Sequence, residues 1–477
     1  MAKKSVKRNY IYNLAYQILL LVVPLITTPY ISQVLGTNGV GIYSYTLSIA
    51  TYFVLFGSLG VAMYGQREIA YLQDNKKESS KVFWEISILK CITMGISLLI
   101  FYFTYANGTE YQVYYKILML EILANMIDIS WFLQGLEEFK KTVIRNIVVK
   151  ILSVIAIFIF VNDVEDTKIY LIIYTVSNLL GNLSLWAYLP KFLSKVNIKE
   201  LKIIRHLKPT IALFIPQIAM QVYTLLDKTM IGNILGDMSE VGIYEQSQKI
   251  IKMPLTVITA LGTVVAPRIA NIVANNKREE IEQYIEKSFG FAWLAGIPMM
   301  FGIMAISKNF VPWFLGEEFN KAIWVMIIGA PIIIAVGLNN VSGIQYLIPA
   351  KKQNIFTRSV VIGAIFNFCI NLMLIPILKS VGAIIASVFA EILIFGIQLY
   401  YIRKDFNLKI VYKDAWKYVV SGIIMFIFTF VLGEFMNPTI ITTFVQICVG
   451  GLIYIILLIL MKEKMLYQFL GKIKNRG

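Results

Sequence analysis

Apolar residues in this chain run in long unbroken stretches rather than in the strict alternation of a half-buried strand. Fourteen stretches approach the twenty or so residues that cross a bilayer as a helix: roughly 10–34, 40–65, 82–105, 111–136, 143–161, 169–190, 209–235, 241–270, 288–307, 321–347, 355–377, 381–402, 416–434 and 440–461. Continuous runs predict helices and argue against a β-barrel, whose strands alternate. The expected fold is an all-α polytopic membrane protein with about 14 transmembrane helices. The gaps between runs alternate in charge. Lys3, Lys4, Lys7 and Arg8 precede the first run; Arg67, Lys76, Lys77 and Lys81 follow the second. Lys140, Lys141 and Arg145 follow the fourth, and Lys191, Lys195, Lys199, Lys202, Arg205 and Lys208 the sixth. The intervening gaps hold Thr37-Asn38-Gly39, Asn107-Gly108-Thr109-Glu110, Asp163 to Asp166 and Asp237 to Glu240, all neutral or acidic. Basic loops stay on the cytoplasmic side, so both termini are expected there.

The pattern repeats. Ile-Ser-Gln-Val-Leu-Gly at 31–36 returns as Ile-Gly-Asn-Ile-Leu-Gly at 231–236, and Val40-Gly41-Ile42-Tyr43 returns as Val241-Gly242-Ile243-Tyr244. The same register pairs Arg67 with Arg268, Asn75-Lys76 with Asn276-Lys277, and Glu78 with Glu279. Agreement over such a length marks an internal duplication. The repeat unit is six helices, which gives an N-lobe over 1–200, a C-lobe over 201–402, and two further helices with a tail over 403–477. Six is even, so the lobes share one orientation and are expected to be related by an axis along the membrane normal. In the loop between them Leu201, Ile204 and Leu207 alternate with Lys202, Arg205 and Lys208, which predicts a helix lying on the inner leaflet.

Composition sharpens this picture. Hydrophobic residues make up 58% and charged residues 15%, too little charge for a soluble chain of this length. The net charge of +16 is spread over the basic loops and does not imply nucleic acid. Cys91, Cys369 and Cys448 fall within apolar runs, so no disulfide or metal framework is expected. His206 is the single histidine and sits in a loop, which removes most histidine chemistry, membrane acyl transfer included. No long external loop is available for a glycan polymerase or ligase. No catalytic residues, no metal and no cofactor are expected.

Charge at membrane depth costs at least about 2.5–3.5 kcal/mol per residue, so the polar positions inside the runs are the functional candidates. Asp227 and Lys228 lie in the seventh run. Glu245, Lys249 and Lys252 follow at i, i+4 and i+7, one face of a helix. Glu121, Asn125 and Asp128 make a similar stripe in the fourth run, with Trp131 nearly over it, suited to sugar contact or to proton binding. Glu391 in the twelfth run is a further proton candidate, and Asn367 and Asn371 stand one turn apart in the eleventh. Each has a plainer reading as well: ion pairing, snorkelling to the interface, or hydrogen bonding between helices. Prolines 24, 29, 216, 254, 298, 331 and 376 are expected to kink the spans or end them.

Three segments carry a family resemblance: Pro24 to Gly41, Trp131 to Lys141, and Asp227 to Lys249. With the 6 + 6 + 2 helix plan they resemble the polysaccharide-biosynthesis branch of the multidrug/oligosaccharidyl-lipid/polysaccharide (MOP) exporter superfamily, the Wzx-type flippases of lipid-linked repeat units. The resemblance implies two lobes around a cavity that opens alternately to each side of the bacterial cytoplasmic membrane. It implies an undecaprenyl (polyprenyl) pyrophosphate-linked oligosaccharide as substrate, for capsule or other surface polysaccharide. Lys249, Lys252 and Lys228 would then meet the pyrophosphate. Lys249 falls where related lipid II flippases carry an arginine, and Ser48 holds the equivalent N-lobe position. Asp227, Asn367 and Asn371 resemble the cation site of those flippases, so coupling to H+ or Na+ is expected. Expected partners are the lipid-linked oligosaccharide, membrane lipids, a polysaccharide polymerase and glycosyltransferases, with a functional monomer. The rival readings are a drug or cation antiporter and a lipid II-type flippase of the same fold.

Overall fold

The computed structural model describes residues 6–274 and 278–467, and among them every regular element is helical. Asn276 and Lys277, two positions of the sequence repeat, lie outside the described residues. Among the described residues twelve helical stretches are long and apolar enough to cross a bilayer. The first of these, Val22–Tyr71, is 50 residues, or ~75 Å of helix, more than twice the thickness of a hydrocarbon core. It carries two passes because Gly36 breaks it, with φ 63° and ψ −178°. With the 29-residue helix Leu207–Leu235, helices of spanning length number about fourteen. The protein is a multi-pass membrane protein.

The helices are α1 (6–35), α2 (37–58, continued by Val61–Tyr71), α3 (Lys76–Phe101), α4 (Gln112–Met126, continued by Ser130–Gly135), α5 (Phe139–Phe160), α6 (Thr167–Trp186) and α7 (Leu207–Leu235). They continue as α8 (Met238–Lys252, continued by Leu255–Ala274), α9 (Arg278–Phe314), α10 (Ala322–Gly329, Pro331–Asn339 and the π-helical Asn340–Leu347), α11 (Gln353–Leu378), α12 (Ser380–Ile402), α13 (Ala415–Glu434) and α14 (Ile440–Leu460). The chain divides into two compact units, Met1–Thr229 and Met230–Gly477, and the division falls inside α7.

The sequence repeat has a backbone cause. Gly36 and Gly236 both adopt positive φ, 63° and 66°, a conformation that any side chain would strain. Each ends one membrane helix and aims the chain into the next. After Gly236, Asp237 caps α8 by accepting a hydrogen bond from Ser239 N at 3.0 Å.

In the first unit the core gathers Phe83, Ile86, Trp131, Phe132 and Leu185 where α2, α3, α4 and α6 meet. α5 stands at the edge: only 11% of its most apolar window is buried, so it presents that surface to lipid. In the second unit α13 and α14 pack against α9. Ile297 on α9 packs with Tyr418, Met425, Tyr454 and Leu458, and Asn309 donates to the Gly433 carbonyl at 2.9 Å.

The connector between α6 and α7 differs from its expected form. It makes two short 3₁₀ turns, Ile198–Glu200 and Ile203–His206, and Leu207 already opens α7. Alternation of apolar and basic residues specified a surface position there. The helical form was overridden by side-chain contacts from elsewhere in the unit, described below.

Candidate functional site

In the first unit the polar positions of α4 converge on one carboxylate. Glu121 is half-buried near the middle of α4. Its Oε1 accepts from Asn125 Nδ2 at 2.9 Å, and its Oε2 from Asn178 Nδ2 on α6 at 2.9 Å. Two more bonds tie the same helices: Asn182 Nδ2 to the Ala124 carbonyl and Trp186 Nε1 to the Ile127 carbonyl, both 2.8 Å. Asn178, Asn182 and Trp186 recur every four residues, so one face of α6 meets the polar face of α4. That stripe is legible in the sequence of α6 and completes a pair that α4 alone only half describes. Both amides donate to this carboxyl group, so each of its oxygens has a partner inside the unit.

Asp128 does not extend the Glu121 stripe. α4 ends at Met126, and Asp128 lies in the break before Ser130–Gly135. Its carboxylate accepts from Ser130 N and Ser130 Oγ, each at 2.9 Å, a local turn that leads into the short helix. Lys90 on α3, 6% exposed, donates to the Asp128 carbonyl at 2.9 Å, which ties α3 to the same break. Trp131 stands apart too. It is 2% exposed, stacks on Phe83 with centroids 5.8 Å apart, and presses on Gly65, where an added Cβ would come within 2.4 Å of the indole. Its ring fills the core. Asp227 is buried and Lys228 half-buried on α7. Beside them Thr229 Oγ1 lies 3.2 Å from Tyr52 OH.

In the second unit Glu245, Lys249 and Lys252 share one face of α8. Glu245 and Lys249 are half-buried, and Lys252 is exposed at the last turn. The helix stops there, at Met253-Pro254. An adjacent face is buried and polar. Gln248 Nε2 donates to Tyr244 OH at 2.9 Å, and Tyr244 OH lies 3.4 Å from Ser387 Oγ on α12. Asn367 Nδ2 donates to the same Ser387 Oγ at 3.4 Å, and Asn371 Nδ2 donates to Asn367 Oδ1 at 3.0 Å. The structure thus brings together the predicted pair Asn367 and Asn371 and joins it to α8 and α12 through neutral oxygens. Gln246 is fully buried with neither amide atom hydrogen-bonded. Glu391 lies one turn beyond Ser387 on α12 and accepts from Asn339 Nδ2 at 2.6 Å. Among the described residues no three His, Cys, Asp or Glu side chains gather as a metal site.

A family described as "Polysaccharide biosynthesis protein" matches residues 6–273, more than half of the chain. The chain belongs to the polysaccharide biosynthesis protein family. A second family of the same superfamily, MatE, matches residues 212–373, which places the chain among the MOP exporters. It is 24% identical over 408 residues to a putative O-antigen transporter of Escherichia coli K12, spanning 84% of this chain and 98% of that protein. It is 26% identical over 246 residues to a probable low-salt glycan biosynthesis flippase of Haloferax volcanii, about half of each chain. The solved structure of the lipid II flippase MurJ in an inward closed conformation superposes with a TM-score of 0.78, at 15% identity, covering 96% of this chain and 100% of that one. The last likeness shows a shared fold. The relatives are named as transporters and flippases rather than enzymes.

Two buried charge clusters in this family member were not apparent from its sequence. In the first unit Glu85 on α3 is 0% exposed. It accepts from Lys202 N at 2.6 Å, from Arg205 Nε at 2.9 Å and Nη2 at 2.5 Å, and pairs with His206 Nε2 at 2.7 Å. His206 Nδ1 lies 2.7 Å from Tyr64 OH, so the single histidine is buried between α2 and α3. This cluster is what holds the α6–α7 connector out of helical form. In the second unit Glu240, 5% exposed, joins three connections. Lys321 Nζ lies at 2.5 Å, Lys379 at 3.8 Å, and Ser380 donates from N at 3.2 Å and from Oγ at 2.6 Å. Burial alone would raise the pKa of Glu240, but the bonds from Lys321 and Ser380 outweigh it and hold the carboxyl below the ordinary range. Glu85, like Glu121, is an acid within an apolar run, and its partners lie some 120 residues away in the chain.

Proposed function

We propose that this protein moves polyprenyl pyrophosphate-linked oligosaccharide repeat units from the inner to the outer face of a bacterial cytoplasmic membrane, for capsule or other surface polysaccharide. The observation that carries the reading is the 98% coverage of a putative O-antigen transporter by this chain, within a family described by polysaccharide biosynthesis. In this reading the lobes 1–200 and 201–402 work by alternating access, with 403–477 docked on the second, both termini cytoplasmic and the monomer as the working unit. Lys249, with Lys252 and Lys228, meets the pyrophosphate, the one group every repeat unit shares; a lysine ammonium serves as a point charge for phosphate. Transport is ion-coupled: Glu121 carries a proton, and Asn367 and Asn371, with Asp227, offer oxygens to a hard cation such as Na+. A polymerase and glycosyltransferases act before and after the flipping step.

Complementation of a flippase-deficient strain tests this. Lys249→Ala should abolish surface polysaccharide and leave lipid-linked intermediates on the inner face, whereas Lys249→Arg should retain much of the activity. A gross attraction of ~4 kcal/mol for one 4 Å contact at an effective dielectric near 20 sets the scale before desolvation. Wild-type polysaccharide from Lys249→Ala, at equal membrane level, removes Lys249 from the site. Export of cationic drugs by the purified chain, with no movement of lipid-linked glycan, favours the antiporter reading instead.

A further inference from the structure

The connector between α6 and α7 is pinned along α3 at three heights. Lys76 Nζ donates to the Lys191 carbonyl at 3.1 Å, Ser194 N donates to Ser80 Oγ at 2.9 Å, and Glu85 holds Lys202, Arg205 and His206. From Lys76 to Glu85 the helix rises ~14 Å. The apolar run of α3 begins at Val82, so the last anchor lies within a turn of the level at which α3 enters hydrocarbon. Residues 198–206 are therefore held at the boundary between headgroups and acyl chains.

At that level the connector turns two isoleucines outward, Ile198 at 80% and Ile204 at 81% exposure. Neither projects from slack chain. Ile204 stands between Lys202 and Arg205, both bound to Glu85. Ile198 opens a turn capped by Asn197, whose Oδ1 accepts from Lys199 N at 3.2 Å. A branched apolar side chain clamped outward belongs in an apolar medium. Lys195, Lys199 and Lys208, close to the two in sequence, are exposed as well. This is the end of the unit that the basic loops assign to the cytoplasm, where the leaflet carries anionic lipid.

We infer that residues 195–208 form an interfacial strap: Ile198 and Ile204 enter the acyl boundary of the leaflet, and Lys195, Lys199 and Lys208 pair with the phosphates of anionic phospholipids. The anchors on α3 set its depth, and the cations select the lipid. The strap concerns lipid contact alone and is independent of which molecule is transported.

The test places an environment-sensitive fluorophore on single cysteines, Ile204→Cys, Ile198→Cys or Asn107→Cys, in the full chain with Cys91, Cys369 and Cys448 changed to serine. Nanodiscs of phosphatidylcholine, with or without about a third phosphatidylglycerol, expose both faces to an uncharged water-soluble quencher, acrylamide, or carry a quencher on lipid acyl chains. With phosphatidylglycerol present, acrylamide quenching at positions 204 and 198 should be at least ~threefold weaker than at 107, and acyl-chain quenching stronger. Adding Lys195→Gln, Lys199→Gln and Lys208→Gln should raise acrylamide access at 204 about twofold in those discs and leave phosphatidylcholine discs unchanged. Acrylamide quenching at 204 and 198 equal to that at 107 overturns the strap. Equal shielding with and without phosphatidylglycerol overturns its pairing with anionic lipid.

Discussion

Changing Glu240 to glutamine probes how the second unit is fastened, and its consequence can be worked from the geometry. The side chain keeps its shape, but one oxygen becomes an NH2 that points a donor at Lys321 or at Ser380, both already donating. Removing one partner of a buried pair costs ~3–5 kcal/mol. Lys321 and Lys379 are 35% and 48% exposed, so both ammonium groups turn toward water, and screening reduces the loss to ~2–3 kcal/mol. At about 2–4 °C per kcal/mol for a unit of this size, the unfolding midpoint should fall by ~4–12 °C. The assay is thermal unfolding of the purified protein in detergent, followed by tryptophan fluorescence across pH. The folded pKa of Glu240 lies below its unfolded value, which is about 4.3 for a free glutamate. Its contribution is therefore complete above the unfolded pKa and is lost as pH falls through the folded one. The gap between parent and Glu240→Gln should be constant from about pH 8 to about pH 5 and close below about pH 4. A variant that melts with the parent at neutral pH, or a gap that widens in acid, refutes the argument.

Glu121→Gln should slow transport at unchanged membrane level, since it removes the titrating group and leaves the two asparagines in place; a normal rate under a proton gradient excludes a coupling role. Asp128→Asn keeps an oxygen for Ser130 N, so transport should match the parent while stability drops by ~1 kcal/mol or less; a transport defect as deep as that of Glu121→Gln would show that Asp128 acts in coupling. Trp131→Ala should cost ~3–5 kcal/mol through the cavity it leaves, read as a lower unfolding midpoint and less folded protein, with the accepted glycans unaltered. Cysteine probes at Asn107 and Asp237 should label from outside, and those at Asn75 and Lys199 only after permeabilisation; external labelling at Lys199 reverses the orientation.

The helices and their breaks were legible because bilayer physics acts on sequence directly. An apolar run of twenty residues satisfies its own backbone only as a helix, and a repeated glycine at 36 and 236 announces a positive φ without any tertiary information. Periodicity also located Asn367 and Asn371 one turn apart on α11, and the structure found them bonded. It succeeded less well where a helix ended inside the pattern. The spacing of Glu121, Asn125 and Asp128 reads as one stripe, yet α4 stops at Met126, so the third member turns to Ser130 instead. Trp131 fell with them in projection and lies in the core in space.

What the sequence determined by itself is therefore the set of membrane helices, the duplicated turn and the polar positions that must find company inside them, because burying a charge or an unpaired amide is costly wherever it occurs. Which company each one finds was decided only in three dimensions. Glu85 meets Arg205 and His206 on a distant connector, and Glu240 meets Lys321 and Ser380. Glu121 meets Asn178 across α6. Helical periodicity reports neighbours three and four residues apart; pairings across more than fifty residues depend on how the helices pack, which no local pattern encodes.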